Sequence, residues 1–318
     1  MILITGGSGF IGRYFIQSLH NSHEIINLDI KKPDFKSNAY HIKGNIKDLN
    51  NFDSLPKYID TIIHLAAEHK DIGISDKEYF NVNKGGTKNI INFAVKRNVN
   101  NIVFFSTAAV YGNYFSGVNE KCPLKCETPY SKSKLEAERS LISWAKKEKK
   151  RRLVILRPSV VIGPHNYANM FLLIKQIDKG PFIRIGKGKN IKSLAYVQNI
   201  VDFTIYLLNE NKENVSIFNY ADEPHLTTKE IIDIIAHSLG KKKSLSLPFP
   251  IVYSFGIIFD LFSSLFNIKT PINIKRIIKI CNETYLKAES IKLTAFKPKY
   301  TSIDGLKLMV KWYKNYIS

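Results

Sequence analysis

The sequence predicts an α/β protein: a doubly wound parallel sheet followed by a smaller C-terminal lobe. Three observations carry that prediction. Short β-branched runs alternate with longer helical stretches through the first half of the chain. Most of those runs are apolar at consecutive residues, as happens when helices cover both faces of a sheet. A glycine-spaced loop, Thr5-Gly6-Gly7-Ser8-Gly9-Phe10-Ile11-Gly12, follows the first run directly and opens the first helical stretch.

Taken in order, strands are expected over 2–5, 25–29, 40–43, 61–65, 102–106 and 153–157, with helices over 11–20, 76–97 and 130–150 between them. After Pro158 the regularity weakens. Gly163-Pro164 and Gly180-Pro181 bracket a helix over 169–179, and further helices are expected over 197–209, 227–239 and 303–316. A strand over 216–220 is expected to return to the main sheet.

Length and charge bound the alternatives. At 318 residues, 44% of them hydrophobic, the chain is long enough for one large domain with an attached lobe. The formal charge of +20 is scattered, apart from a run over 146–152, and no nucleic-acid-binding module accompanies it. It reads as a sequence-wide bias, with attraction to phosphorylated molecules or acidic lipid as the alternative. Cys122, Cys126 and Cys281 form neither a disulfide framework nor a zinc spacing, which fits a reduced cytoplasmic protein. The strand-like start at Met1 is read as leaving no room for a cleaved signal peptide. Residues 247–268 approach membrane-spanning length, but Pro248, Pro250, Gly256 and Asp260 interrupt them. An amphipathic helix is expected there, with peripheral attachment to a membrane surface as the alternative.

Gly6, Gly9 and Gly12 point to a dinucleotide. Glycines at these places permit a tight turn and let backbone N–H groups approach a pyrophosphate at the start of a helix. The fold is therefore expected to be Rossmann-type. Asp29, at the end of the second strand, can accept hydrogen bonds from the adenosine ribose and repel a 2′-phosphate, which favours NAD over NADP. Lys31 and Lys32 are the residues that would act the other way. Residues 1–165 are expected to form the NAD(P)-binding domain, with 191–222 returning to it, and 166–318 mainly the substrate-binding lobe.

The chemistry is expected from Tyr130, Lys134 and Thr107. Tyr130 and Lys134 lie one turn apart on one helix face. A tyrosine near pKa ~10 is a poor base at neutral pH, but a neighbouring ammonium favours the phenolate. Tyr130 can then take a proton from a substrate hydroxyl while hydride leaves the carbon. Lys134 would also hold the nicotinamide ribose. The strand before them delivers Ser106-Thr107 to the carboxyl edge of the sheet, where such folds bind ligands. Thr107 is placed on the reacting oxygen, with Ser106 as the fallback.

In chain order, the glycine loop, His64-Leu65-Ala66-Ala67, Asn83 with Gly86-Thr87, Ser106-Thr107-Ala108-Ala109-Val110-Tyr111-Gly112 and Tyr130-Ser131-Lys132-Ser133-Lys134 resemble the extended short-chain dehydrogenases. More narrowly, the chain resembles the NAD-dependent epimerase/dehydratase family acting on nucleotide sugars, convincingly over residues 1–200. That resemblance implies catalysis by Thr107, Tyr130 and Lys134. It implies cofactor contacts from Gly6, Gly9, Phe10, Ile11, Gly12, Asp29, Asn45, Ile46, Leu65, Ala66, Ala67, Asn83, Tyr130, Lys134 and Pro158. Asn45 stands where many relatives carry Asp, and its side-chain oxygen can still accept from the adenine amino group. A homodimer through helices 76–97 and 130–150 is likewise implied.

Departures from the family pattern narrow the reaction and widen the substrate. Dehydratases of this family carry an Asp-Glu pair where this chain has Ala108-Ala109, and two methyl groups move no protons. Epimerisation at a sugar carbinol carbon, or reduction of a 4-keto sugar, remains. Glu68 is expected on the substrate side with Thr107. Val160 replaces a usual Asn, and Lys192-Ser193 replaces Arg-Asp; Lys192 offers a phosphate a point charge but no bidentate grip. Arg184, Lys187, Lys189 and Lys192 would meet a diphosphate or form a solvated loop. Arg157-Pro158-Ser159 before the Gly163-Pro164 turn, Tyr196-Val197 with Asn199, and the apolar segment after Pro248 also resemble 3β-hydroxysteroid-dehydrogenase-like enzymes of lipid-like alcohols, and a polyprenyl-linked sugar would unite both readings. A protein that senses NAD(P) without turnover is the remaining class, though Tyr130 and Lys134 are both present.

Overall fold

Seven parallel strands build the main sheet of the computed structural model: β1 (Ile2–Thr5), β2 (Ile25–Asp29), β3 (Tyr40–Lys43), β4 (Thr61–His64), β5 (Asn101–Phe105), β7 (Arg152–Pro158) and β11 (Val215–Tyr220). Their order across the sheet is β11-β7-β5-β4-β1-β2-β3. The structure describes residues 1–318 except 49–51, 53, 54, 71, 72, 113, 243, 251, 253–281 and 318. Strand order reverses between β1 and β4: later strands step outward on one side while β2 and β3 lie on the other. This is the arrangement expected of a Rossmann-type sheet, whose ligands bind where the order reverses.

Alternate residues of each strand enter different cores. Ile2 and Ile4 pack with Phe15, Ile16 and Leu19 of α1 (Phe10–Leu19) and with Ile200 and Phe203 of α6 (Val197–Glu210). Leu3, Ile26, Ile62 and Ile102 face the other way, onto Ile90 and Phe93 of α3 (Thr87–Lys96) and Leu141 and Trp144 of α4 (Pro129–Lys146). Burial on both faces accounts for the continuous apolar runs in the sequence.

The helix expected over 76–97 is not one α-helix. α2 (Asp76–Tyr79), capped by Ser75, passes through a π-helical turn at Phe80–Gly86 before α3. The turn is closely packed: a side chain on Gly86 would meet Ile46 at 2.5 Å, and Thr87 Oγ1 donates to the Asn83 carbonyl at 2.5 Å. The helix expected to reach 150 ends at Lys146, and the basic run continues as a turn into β7.

A second sheet, not foreseen from the sequence, carries β12 (Asp222–Thr227), β10 (Ile191–Tyr196), β14 (Thr284–Leu286) and β6 (Tyr114–Val118), with β8 (Val160–Ile162) on β10. Beside it, α5 (Asn169–Asp178), α7 (Thr228–Leu239) and α9 (Ser302–Ile317) enclose a third core around Ile174, Ile235 and Met309. Two three-residue strands, β9 (Ile183–Ile185) and β13 (Leu245–Leu247), pair apart from both sheets, and a short α8 (Glu289–Lys292) completes the described elements. Within 191–222, β10 belongs to the small sheet, while α6 packs on α1 and β11 joins the main sheet. Most of the apolar segment 247–268 lies outside the described residues. Among the described residues, no helix is long and apolar enough to cross a membrane.

Candidate active site

The carboxyl ends of β1, β2, β4, β5 and β7 bring most of the sequence-predicted residues to one edge of the main sheet. The glycine loop there is packed too closely for side chains. Gly6 has φ +75°, and a Cβ on it would sit 2.7 Å from the Ala66 backbone nitrogen. On Gly12 it would sit 2.4 Å from the Gly7 Cα. Gly9 caps α1 without a side-chain bond, and the first turn, which includes Phe10 and Ile11, holds no acidic residue. The helix therefore presents free N–H groups and the positive end of its dipole, a cradle that fits a dinucleotide diphosphate.

Asp29 lies one strand over. Its carboxylate accepts from the Ser8 and Lys31 backbone N–H groups, each at 3.0 Å, and keeps lone pairs for further donors. Asn45 follows β3, with its side-chain oxygen on the Lys47 N–H at 3.0 Å, and Ile46 is buried against Gly86. Leu65, Ala66 and Ala67 continue β4 beside the glycine loop, with the Leu65 N–H on the Thr5 carbonyl at 3.0 Å. Pro158 ends β7, paired with Tyr220. These positions lie together along one edge of the sheet, and their donors and acceptors fit a dinucleotide.

A buried polar chain runs beneath that edge. Thr87 Oγ1 gives its proton to the Asn83 carbonyl, so it must accept from His64 Nε2, at 3.0 Å; His64 Nδ1 then accepts from Thr5 Oγ1 at 2.7 Å. His64 is neutral in this arrangement. Burial pushes its pKa down to about 3, with help from the Lys134 ammonium. Asn83, in the π-helical turn, accepts from the Glu68 N–H at 2.8 Å and donates to Ser133 Oγ at 2.9 Å, joining the β4 loop to α4. π-Helical turns inside α-helices are frequent at functional sites.

α4 starts where Thr128 caps it, with Pro129 at its first position and a capping box to Ser131. Tyr130 is thereby fixed in the first turn, partly exposed, its ring edge-on to Tyr79 at 6.2 Å. Lys134 is only 2% exposed, its Nζ donating to the Phe105 carbonyl at 2.5 Å and lying 4.1 Å from the Phe104 ring centre. Burial lowers its pKa to about 7, against the opposing pull of Glu138. Thr107 leaves β5 in an extended conformation, and its Oγ1 accepts the Ala109 N–H at 3.1 Å, keeping its proton for another acceptor. Ser106 is committed elsewhere, donating to buried Glu138, which favours Thr107 over the fallback. Ala108 and Ala109 start a 3₁₀ turn that adds no acid or base. Among the described residues, no cluster of three His, Cys, Asp or Glu side chains could hold a metal.

The residues expected on the substrate side are less assembled. Glu68 Oε1 accepts from the His69 and Lys70 N–H groups at 3.1 Å, closing its own loop. Lys192, on β10, donates to the Asn282 carbonyl. Arg184 is buried with Nε on the Gly186 carbonyl at 3.2 Å, while Lys187 and Lys189 are exposed. Glu138, Ser133 and Asn219 were not singled out from the sequence. The four-residue step Tyr130, Lys134, Glu138 was the available signal for the first of them.

The family model described as NAD dependent epimerase/dehydratase family matches residues 2–221, and the chain belongs to that family. It is 35% identical over 307 residues to an N-acetyl-α-D-glucosaminyl-diphospho-ditrans,octacis-undecaprenol 4-epimerase of Escherichia coli O157:H7, covering 96% of this chain and 92% of that protein. It is 30% identical to a UDP-glucose 4-epimerase of Vibrio cholerae over 79% of each chain. The crystal structure of the Thermotoga maritima UDP-glucose 4-epimerase with UDP-glucose superposes with a TM-score of 0.80 at 21% identity, covering 100% of this chain and 99% of that one. That likeness establishes the fold.

Proposed function

We propose that this chain is an NAD-dependent 4-epimerase acting on a sugar carried on a diphosphate, and that the carrier is a polyprenol. The observation that supports the reading is that Thr107 follows β5 while Tyr130 and Lys134 stand on the first turns of α4, with Lys134 bonded to the Phe105 carbonyl at the sheet edge that also carries the glycine cradle. NAD, when bound, supplies the acceptor and donor for the C4 hydride. Gly6, Gly9, Gly12 and the start of α1 would hold its pyrophosphate, Asp29 its adenosine ribose, Asn45 and Ile46 its adenine, and Lys134 its nicotinamide ribose. Tyr130, as phenolate, takes the proton of the C4 hydroxyl and returns it after the sugar has turned. Lys134 favours that phenolate, and Thr107 donates to the reacting oxygen. Ala108 and Ala109 leave no group to eliminate water, which supports epimerisation over dehydration.

Both relatives named above are 4-epimerases; they differ in carrier. The higher identity, over nearly all of both chains, supports the polyprenyl diphosphate. So does the presence of Val160, exposed and apolar, where a nucleotide-sugar enzyme usually offers Asn. The reading includes a homodimer through the α2–α3 and α4 faces and peripheral membrane contact through 247–268. The test is to incubate purified protein and NAD with N-acetylglucosaminyl-diphosphopolyprenol or with UDP-N-acetylglucosamine, then release and separate the sugars. The 4-epimer should form from the polyprenyl substrate without accumulation of NADH. Loss of water, or stoichiometric NADH with a ketone, would overturn the assignment; conversion of the UDP-sugar alone would overturn the carrier.

A further inference from the structure

Tyr130, Lys134 and Glu138 recur every four residues, so they lie along one face of α4, each about 6 Å from the next. That face meets the end of β5. Lys134 holds the Phe105 carbonyl, and Glu138 accepts from the Ser106 hydroxyl. The next residue is Thr107. Two adjacent residues of the strand end are thus gripped by two side chains of the helix, one turn apart.

Glu138 is itself immobilised. It is 1% exposed and is held by Arg157 of β7 through two bonds, Nε to Oε1 at 3.0 Å and Nη2 to Oε2 at 2.6 Å. Arg157 Nη1 also donates to the Tyr111 hydroxyl at 2.9 Å, and that hydroxyl donates to Asn219 of β11 at 2.8 Å. Tyr111 closes the 3₁₀ turn that Thr107 caps. Burial alone would lower the Arg157 pKa, but the bonds to Glu138 more than offset this and raise it. A buried ion pair is a poor source of net stability, and Leu141 and Trp144 already seat α4 on the sheet. Its geometry is what distinguishes it.

We propose that Glu138, clamped by Arg157 and Ser106, is a positioning residue that fixes the end of β5 against α4 so that Thr107 and Tyr130 address one substrate hydroxyl. It also sets the charge on Lys134. Burial drives Lys134 toward its neutral amine, and the Glu138 carboxylate opposes that. Of the other groups facing Lys134, His64 on β4 is uncharged, Arg157 on β7 is paired with Glu138, and Tyr130, one turn back on α4, favours the ammonium when it ionises. The inference rests on the reading of Tyr130, Lys134 and Thr107 as the catalytic set.

The experiment compares Glu138→Gln, Glu138→Asp and the paired variant Glu138→Leu with Arg157→Met, which leaves no lone buried charge if Glu138→Gln fails to fold. Lys134 is titrated by NMR in full-length protein carrying ε-¹³C-lysine, its signal identified by its loss in Lys134→Met, and NAD affinity, kcat and KM are measured beside it. Glu138→Gln should titrate Lys134 about one unit lower, and the paired variant should lower it by less because the Arg157 charge leaves with the carboxylate; both should bind NAD within about threefold of wild type and lose about 10- to 100-fold in kcat at unchanged KM. Glu138→Asp should recover part of kcat. An unmoved Lys134 titration with kcat within about twofold in folded protein, whatever the melting temperature, would overturn the proposal. Because the titration needs no turnover, it still reads the clamp if Tyr130→Phe removes the catalytic reading.

Discussion

The glycine-loop edge of the main sheet and the small sheet beyond it are built by different rules. At the loop edge, neighbours in sequence are neighbours in space: Gly6 to Gly12 turn directly into α1, and Tyr130, Lys134 and Glu138 recur along one helix. In the small sheet, Lys192 of β10 pairs with Thr284 of β14, and Thr284 pairs with Tyr114 of β6. Local stereochemistry thus shapes the glycine loop and the helix face, and long-range pairing builds the small sheet. The two meet at Asp222, which is 2% exposed and accepts from the Tyr196 N–H at 2.5 Å, Asn199 Nδ2 at 2.8 Å and the Tyr220 hydroxyl at 3.2 Å.

Substituting one glycine on each side breaks the comparison most strongly. Gly12→Ala forces a methyl into backbone 2.4 Å away and should cost about 100-fold or more in NAD affinity, read by fluorescence titration. Gly240, which ends α7 at φ +71° and where a methyl group would meet nothing within 4 Å, is the control. Gly240→Ala should destabilise by only about 1 kcal/mol and leave NAD binding unchanged.

The junction should be pH-sensitive. Burial pushes the Asp222 carboxyl up to about 6, above the 3.8 of the unfolded chain. Between about pH 4 and pH 6 the folded state therefore holds a proton that the unfolded state has released. Its stabilising effect is full below pH ~4 and is lost as pH rises through ~6, by up to about 3 kcal/mol. Asp222→Asn should flatten that fall relative to wild type in denaturant melts between pH 4 and 7; parallel pH profiles would sink the idea. The smallest effect is expected at Lys192, whose ammonium is held by the Asn282 carbonyl. Lys192→Ala should raise KM by roughly threefold to tenfold with kcat unchanged, as loss of one charged contact to a diphosphate would.

This division explains what was legible in the sequence. All six strands expected in the first half form within a residue or two of their anticipated bounds, and 216–220 lies in β11, because apolar runs and glycine spacing are local signals. The placement of Thr107 just after β5 and of Tyr130 and Lys134 on one face of α4 was readable for the same reason. The close approach of Gly86 to Ile46 in the π-helical turn was not, because it joins residues 40 positions apart in the chain. The Arg157 grip on Glu138 and the second sheet were hidden similarly, since no short motif records which distant segment a side chain will face.

The account depends most on Tyr130 as the residue that exchanges the substrate proton. Tyr130→Phe keeps the ring and removes only the hydroxyl, so turnover and cofactor binding can be measured on the same folded protein. The reading predicts a loss of about 10²- to 10⁴-fold in kcat with NAD affinity within about threefold of wild type. Turnover at the wild-type rate in Tyr130→Phe would contradict it.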